Sequence, residues 1–452
     1  MSAFKPALAE LRPTLTLALP IIAGQVSQVL MGVTDSVMIG HVGRVPLAGS
    51  AFAGGVFGLF FIVGAGTLSA VPVLVARAHG AGQPAECGAW LRHGLALALA
   101  IGTVEAGLTA LLATQLRRLG QPPEVVEVAR PFFVIIGISL VPTCVFQVLR
   151  QFSESLGRPW QPMAILFCCV GLNAFLNWVF IFGHLGVPPL GLTGSGCGTL
   201  TARLLGCVLL WTWLRRQPDL RPLLPRAGAL AALTRRHLRE LLHLGGPVAG
   251  QLLFEVGAFS TAAMMMGWLG TVPLAAHQIA LSCAALTFMF PLGLAMATSI
   301  RMSQAVGSGR RDALRPIGFG SLGLAVAIMG MFALVFAFGG GVIARGFTLD
   351  PAVVALAARL LLVAAIFQIF DGGQVVGAGA LRGLSDVRVP MLITFVAYWL
   401  VALPAAYLFG FRTGFGAVGV WIGLAAGLAC AAGLLGARLA RATAPRPAAA
   451  SA

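Results

Sequence analysis

Charge is scarce in this chain. Only 10% of its 452 residues are charged, and just 14 are acidic. A soluble domain carries about 25% charged residues. With 58% hydrophobic residues this chain could not cover itself with polar groups, so a water-borne globule is excluded. Lysine is almost missing: 29 of the 30 basic residues are arginine, which reflects codon usage more than chemistry. The eight cysteines, at 87, 144, 168, 169, 197, 207, 283 and 430, form no CxxC and no Cys/His metal spacing. No disulfide framework is therefore expected, and the cysteines of the apolar runs act as small hydrophobes. No HxxxxD, HExxH, GxSxG, DxxD or glycine-rich phosphate loop lies on a cytoplasmic face, so no enzyme is expected.

Apolar runs long enough for a bilayer, about 17–25 residues each, recur along nearly the whole sequence. Twelve can be marked, at 15–40, 47–76, 94–116, 131–149, 162–183, 190–214, 244–269, 273–300, 316–343, 353–379, 389–411 and 416–437. The first is too long for a cleaved signal peptide and reads as a retained helix. An even number of spans puts both termini on one side. The net charge of +16 does not point to a nucleic-acid partner, because the basic residues sit in the short connections. On the side of the termini the connections and tails hold 22 of them and the opposite connections hold 6; Arg203 and Arg359 lie inside spans. This asymmetry places both termini in the cytoplasm of a multi-pass inner (plasma) membrane protein.

Residues 215–243, with seven arginines, divide the chain almost in half. A shift of 227 residues lays Pro20 on Pro247 and GHVGRVPLAG (40–49) on GWLGTVPLAA (267–276), with 18 of the 63 positions from 20 to 82 identical. A weaker match joins 153–163 to 381–391. The chain is an internal duplication. Six spans per half make the repeats parallel, a plan used by transporters that bind substrate between their halves. The expected fold is an all-α integral membrane protein of twelve helices in two pseudo-symmetric lobes. These are an N-terminal lobe (1–214), a basic cytoplasmic linker (215–243), a C-terminal lobe (244–437) and a cytoplasmic tail (438–452).

An ionised side chain at the bilayer centre costs ~2.5–3.5 kcal/mol on insertion scales, so it normally faces a cavity or a partner. Four acids fall well inside spans: Asp35, Glu105, Glu255 and Asp371. Asn173 and Asn177 share one helical face by their spacing, and the next span adds Thr199, Thr201 and Arg203. Amides, hydroxyls and one carboxylate suit an exchangeable proton or a hard monovalent cation; interhelical hydrogen bonding would use each of them equally well. Glu255 and Asp371 fall in the second half, and two carboxylates around one cavity can hold a proton and yield it to an incoming cation. Gln251, Gln278, Phe288 and Phe367 are the expected walls of a cavity for flat organic cations. His277 fits a packed polar residue better than a proton relay. Pro142, Pro247, Pro291 and Pro404 are candidate kinks.

With these features in place the chain resembles the multidrug and toxic compound extrusion (MATE) transporters, most closely their NorM-like branch. The resemblance rests on LPIIAGQVSQVLMGVTDSVMIGHVG (19–43), VPLAAHQIAL (272–281), Glu255 and Asp371, and it covers nearly all of the membrane region. It implies an antiporter that exports organic cations and drugs in exchange for H+ or Na+, with no other cofactor, working as a monomer in the lipid bilayer. By position, Asp35 with Asn173, Asn177, Thr199 and Thr201 would form the first-lobe cation site, and Glu255 with Asp371 the second. Either set could hold Na+. The branch often has a tyrosine one turn before the aspartate where this chain has Phe367, and some members have an acid at the position of Asn177. Both differences favour H+ over Na+. The alternative is a flippase of the same superfamily for lipid-linked oligosaccharides, which would need cavity-facing basic residues; Arg203 and Arg301 are the candidates.

Overall fold

The computed structural model describes residues 4–120, 122–225 and 233–444. Among the described residues twelve helices are long and apolar enough to cross a membrane. They are α1 (Ala9–Gly40), α2 (Arg44–Gly80), α3 (Pro84–Thr114), α4 (Pro123–Ser155), α5 (Trp160–Phe182), α6 (Gly191–Arg216), α7 (Arg235–Leu269), α8 (Thr271–Gly307), α9 (Arg311–Arg345), α10 (Pro351–Gly383), α11 (Arg388–Arg412) and α12 (Gly416–Ala442). Every expected span is present, and most run several residues past their apolar stretch. Hydropathy marks the hydrocarbon-covered part, while backbone hydrogen bonding carries the helix into its charged ends.

Prolines shape some helices and not others. α2 breaks at Ser69 and α4 at Ser139. In each a proline follows three residues later, Pro72 and Pro142, and a missing N–H there leaves the preceding turn short of a bond. Pro404 follows a stretch of α11, Val396–Ala402, wound as a π-helix, the usual accommodation beside such a residue. Pro247 and Pro291 sit inside unbroken helices.

The basic linker is shorter than 215–243. α6 continues through Arg216 and α7 starts at Arg235, with a 3-10 turn at Arg221–Leu223 among the described residues between them; residues 226–232 of the linker lie outside the described residues. So do 445–452 of the tail, whose first part is the end of α12.

The chain packs as two compact units, Ala23–Ala249 and Met1–Ile22 with Gly250–Ala452. The boundaries fall within α1 and α7 and differ by 227, the period of the duplication. Each unit thus contains the leading turns of a helix whose remainder belongs to the other. Glycine makes this seating possible. In the first unit a Cβ on Gly66 would stand 2.5 Å from Cα of Ala249. In the second, a Cβ on Gly293 would stand 2.8 Å from Cα of Ile22. Gly66 and Gly293 are equivalent in the repeat, as are Ile22 and Ala249, so one contact is made twice. Without a hydrophobic force between helices in lipid, such close approach is what holds them.

In the second unit α10 packs along α8, α9 and α12, around a core that contains the fully buried Tyr398 and Trp421. Arg301 of α8 donates to the carboxylate, and at 2.5 Å to the backbone carbonyl, of Glu10, while Arg310 donates to the same carboxylate at 2.7 Å. In the first unit Phe52, Phe133, Ile39 and Leu192 belong to the cluster joining α1, α2, α4 and α6.

Gly66→Ala and Gly293→Ala should each cost about 1–3 kcal/mol through overpacking against backbone and lower the melting temperature of the detergent-purified protein. Gly323→Ala, whose added methyl meets nothing within 4 Å, should not. Equal melting of all three variants would contradict the packing role of the repeated glycine.

Candidate cation-coupling sites

Asp35 lies near the end of α1, in the part belonging to the first unit, and donors from two other helices answer its carboxylate. Asn177 of α5 donates its side-chain N–H to Oδ1 at 2.5 Å, and the Thr199 hydroxyl of α6 donates to Oδ2 at 3.3 Å. Behind them Asn173 donates to Thr199 at 3.2 Å and accepts from Asn177 at 3.5 Å. Asn173 and Asn177 are fully buried and Thr199 nearly so. The four side chains come from three helices that could meet only because α6 approaches α5 closely: a Cβ on Gly198 would stand 2.6 Å from the Asn177 side-chain oxygen. That oxygen is buried without a partner.

Thr201 does not join them. Two residues on from Thr199, it lies about 200° round the helix, and it is not among the hydrogen-bond partners of Asp35 or Asn173. The spacing that pairs the asparagines separates the threonines.

Asp35 opens onto a cavity of about 470 Å³ within the first unit. Its polar lining includes Gln28, Gln147 and Arg203, and its rings are Phe57, Phe61, Phe132 and Phe146. None of the residues expected to wall a substrate cavity is here, since all four belong to the second half. Phe367 is a core residue, 2% exposed, with its ring against Trp421 and Phe259; this corrects its expected place on a cavity wall. Gln251 is buried, Phe288 half-buried and Gln278 exposed. The repeat nonetheless held a clue, because Phe61 is the partner of Phe288 and Gln28 that of Glu255.

Glu255 of α7 and Asp371 of α10 are both buried and close enough to interact. Glu255 faces Gln374 of α10 and Tyr398 of α11, and the Tyr398 hydroxyl donates to the Gln374 side-chain oxygen at 3.0 Å. Phe367 therefore does not leave this site without a phenol: Tyr398 supplies one from another helix. One of only 2 tyrosines in the chain, set inside an apolar span, it was visible as an oddity but not as a neighbour of Glu255.

Other buried polar residues have partners of their own. Glu105 is buried beside Gly64 and accepts from the Cys144 thiol at 3.9 Å. Glu154, beyond the expected end of its span, is buried in α4 with Arg150 at 3.6 Å. His277 is buried and accepts from the Trp421 indole at 3.1 Å.

The MatE family profile matches this chain twice, over residues 20–179 and 247–408, one match per repeat. A probable multidrug resistance protein NorM of Pseudomonas aeruginosa is 39% identical over 94% of this chain and 88% of its own length. One of Rhizobium meliloti is 37% identical over 94% and 92%. The fold is that of the eukaryotic MATE transporter AtDTX14, with a TM-score of 0.86 at 21% identity over 97% of this chain and 99% of that one. A multidrug resistance MATE family transporter solved in an outward-facing conformation gives 0.87 at 20% identity, covering 97% of each chain. With two family-length matches and relatives this similar over almost its full length, the chain belongs to the MatE family.

Proposed function

We propose that this protein is a multidrug exporter of the bacterial inner membrane, which expels organic cations and drugs in exchange for an inward-moving cation. The observation that carries the proposal is a carboxylate, Asp35, held by donors from two neighbouring helices at the edge of an aromatic-walled cavity. A charge so placed can take up a proton or an organic cation but not both without cost, and that competition couples the two fluxes. The names of its relatives, multidrug resistance proteins matched over 88% and 92% of their own length, support the same reading.

The coupling ion we assign is H+. Asn177 and Thr199 turn hydrogens, not oxygens, toward Asp35, so an oxygen cage for Na+ would require both side chains to reorient. Glu255 with Asp371 forms a second, differently built site, completed by Gln374 and Tyr398. The protein acts as a monomer with both termini cytoplasmic, and needs no cofactor beyond the ion.

A flippase for lipid-linked oligosaccharides is less well supported. Of its two candidate cations, Arg301 is bound to Glu10. Rescue of a cell-surface polysaccharide defect without any drug phenotype would reinstate it.

Removing a charged partner from a hydrogen-bonded carboxylate site costs about 1.5–3 kcal/mol, and 1.4 kcal/mol is tenfold. Asp35→Asn should accordingly lower efflux of a fluorescent cationic dye from proteoliposomes to about a tenth of wild type or less. Gly198→Ala, which displaces Asn177, should lower it in the same direction. Imposed ΔpH should drive wild-type efflux and an imposed Na+ gradient should not; the reverse result overturns the assignment of H+. Tyr398→Phe should reduce efflux while leaving the Asp35 site able to bind dye. Unchanged efflux in Glu255→Gln, Asp371→Asn and Tyr398→Phe alike would remove the second site from the mechanism.

A further inference from the structure

A compact polar cluster lies where α3 and α7 begin, inside the unit Ala23–Ala249. Both helices start on the side of the chain termini, which the proposed orientation makes cytoplasmic. α3 contributes Glu86, Trp90 and the fully buried His93. α7 contributes His237, together with Thr234 just before its first residue. Ring stacking holds the group together: the His237 imidazole stands 4.4 Å from Trp90 and 4.5 Å from His93, the latter pair nearly parallel at 16°. No part of the proposed cation exchange uses these residues.

Hydrogen bonds fix the protonation state of His93. Its Nδ1 stands 2.7 Å from the Ala89 carbonyl, which can only accept, so that nitrogen carries the hydrogen. Its Nε2 receives the backbone N–H of Thr234 at 2.8 Å, a group that can only donate, so that nitrogen is bare. Two backbone groups whose roles cannot be exchanged thus hold the ring neutral. His237 is more tolerant. Its Nε2 faces the Glu86 carboxylate at 3.3 Å, and its Nδ1 faces the Thr234 hydroxyl at 2.5 Å, which can donate or accept. A proton added to His237 turns that hydroxyl round and strengthens the bond to Glu86. One added to His93 sets an N–H against an N–H and breaks the tie. A metal ion does not suit the cluster, because each ring nitrogen already has a partner and no group among the described residues is arranged to hold one.

We propose that His93 is a pH-sensitive latch on α7: uptake of a proton at Nε2 releases Thr234 from α3 and slows export. The charged and titratable groups that act on it are Glu86 and Arg92 of its own helix and His237 of α7. One turn further along α7, Glu240 interacts with Arg77 of α2. Imidazole is the side chain whose charge changes between about pH 5 and 8. Since the neutral ring makes the bond, the latch is closed at the higher pH and opens as the cytoplasm acidifies. The Thr234 carbonyl accepts the Leu238 N–H at 3.3 Å, at the start of α7, so loss of the tie frees the leading end of the helix that carries Glu255. An exporter driven by inward protons is thereby slowed by the acid it admits. That consequence rests on the exporter reading; the latch itself does not.

Hydrogen exchange of the full-length protein, followed by mass spectrometry at about pH 7.5 and 5.5 and corrected for intrinsic rates, reads the latch directly. In wild type the segment holding Thr234 should exchange about fivefold to tenfold faster at the lower pH, as one hydrogen bond is lost. His93→Gln keeps an acceptor near the Nε2 position but does not titrate, and should stay protected at both values. His93→Ala should exchange fast at both, and His237→Gln should keep the wild-type response; exchange in α12 reports that each variant is folded. Dye efflux from proteoliposomes is compared at one fixed ΔpH with both pH values lowered together, where wild type should slow by about fivefold more than His93→Gln. Exchange that ignores pH in wild type, or still follows it in His93→Gln, overturns the latch. Equal slowing of efflux in wild type and His93→Gln overturns its role in transport. Absence of wild-type efflux at every pH, with the exchange response intact, overturns the exporter reading and with it the effect on export, while the latch stands.

Discussion

A polar group in a hydrocarbon-covered helix persists only where another helix answers it, and this requirement organises the whole protein. Asp35 on α1 is answered from α5 and α6. Glu255 on α7 is answered from α10 and α11. Glu10 is held by two arginines of the second unit, and the guanidinium of Arg203 rests on a hydroxyl and an aromatic face. Each pairing needs helices close enough for short side chains to meet. Small residues provide that closeness: Gly198 lets α6 reach Asn177, and Gly66 and Gly293 seat the leading turns of α7 and α1.

The duplication and the chemistry follow different rules. Packing repeats, down to one glycine contact made at equivalent positions in both units. Charges do not. Asp35 has Ala262 as its partner in the repeat, and Glu255 has Gln28. A scaffold copied twice keeps the small residues that fit its helices together, while the charged side chains differ between the copies. The result is two polar clusters of unlike composition: one carboxylate with amides and a hydroxyl, and two carboxylates with an amide and a phenol.

How much of this could be read in advance varied from residue to residue. The spans were legible because hydrocarbon demands long apolar runs, and only their ends were misplaced. Asp35, Asn173, Asn177 and Thr199 were legible as a set, because polar groups in apolar helices are rare and the asparagines share a face. Thr201 was wrongly added to them, since nearness in sequence ignores the turn of the helix. Phe367 was assigned to a cavity wall and proved to be core, because an aromatic in a membrane helix carries no mark of what it faces. Tyr398 and Gln374 were missed altogether. They lie 143 and 119 residues beyond Glu255 in sequence, and no local pattern links them.

By itself the sequence determined the helical membrane fold, the count of spans, the parallel duplication and the acids around which the sites form. These follow from composition and period, which act along the chain. Only the tertiary structure decided which donors face each carboxylate, where a cavity opens, and that Arg203 and Asp35 line it together. Such relations depend on the rotation and close approach of helices far apart in sequence, and those are fixed by packing.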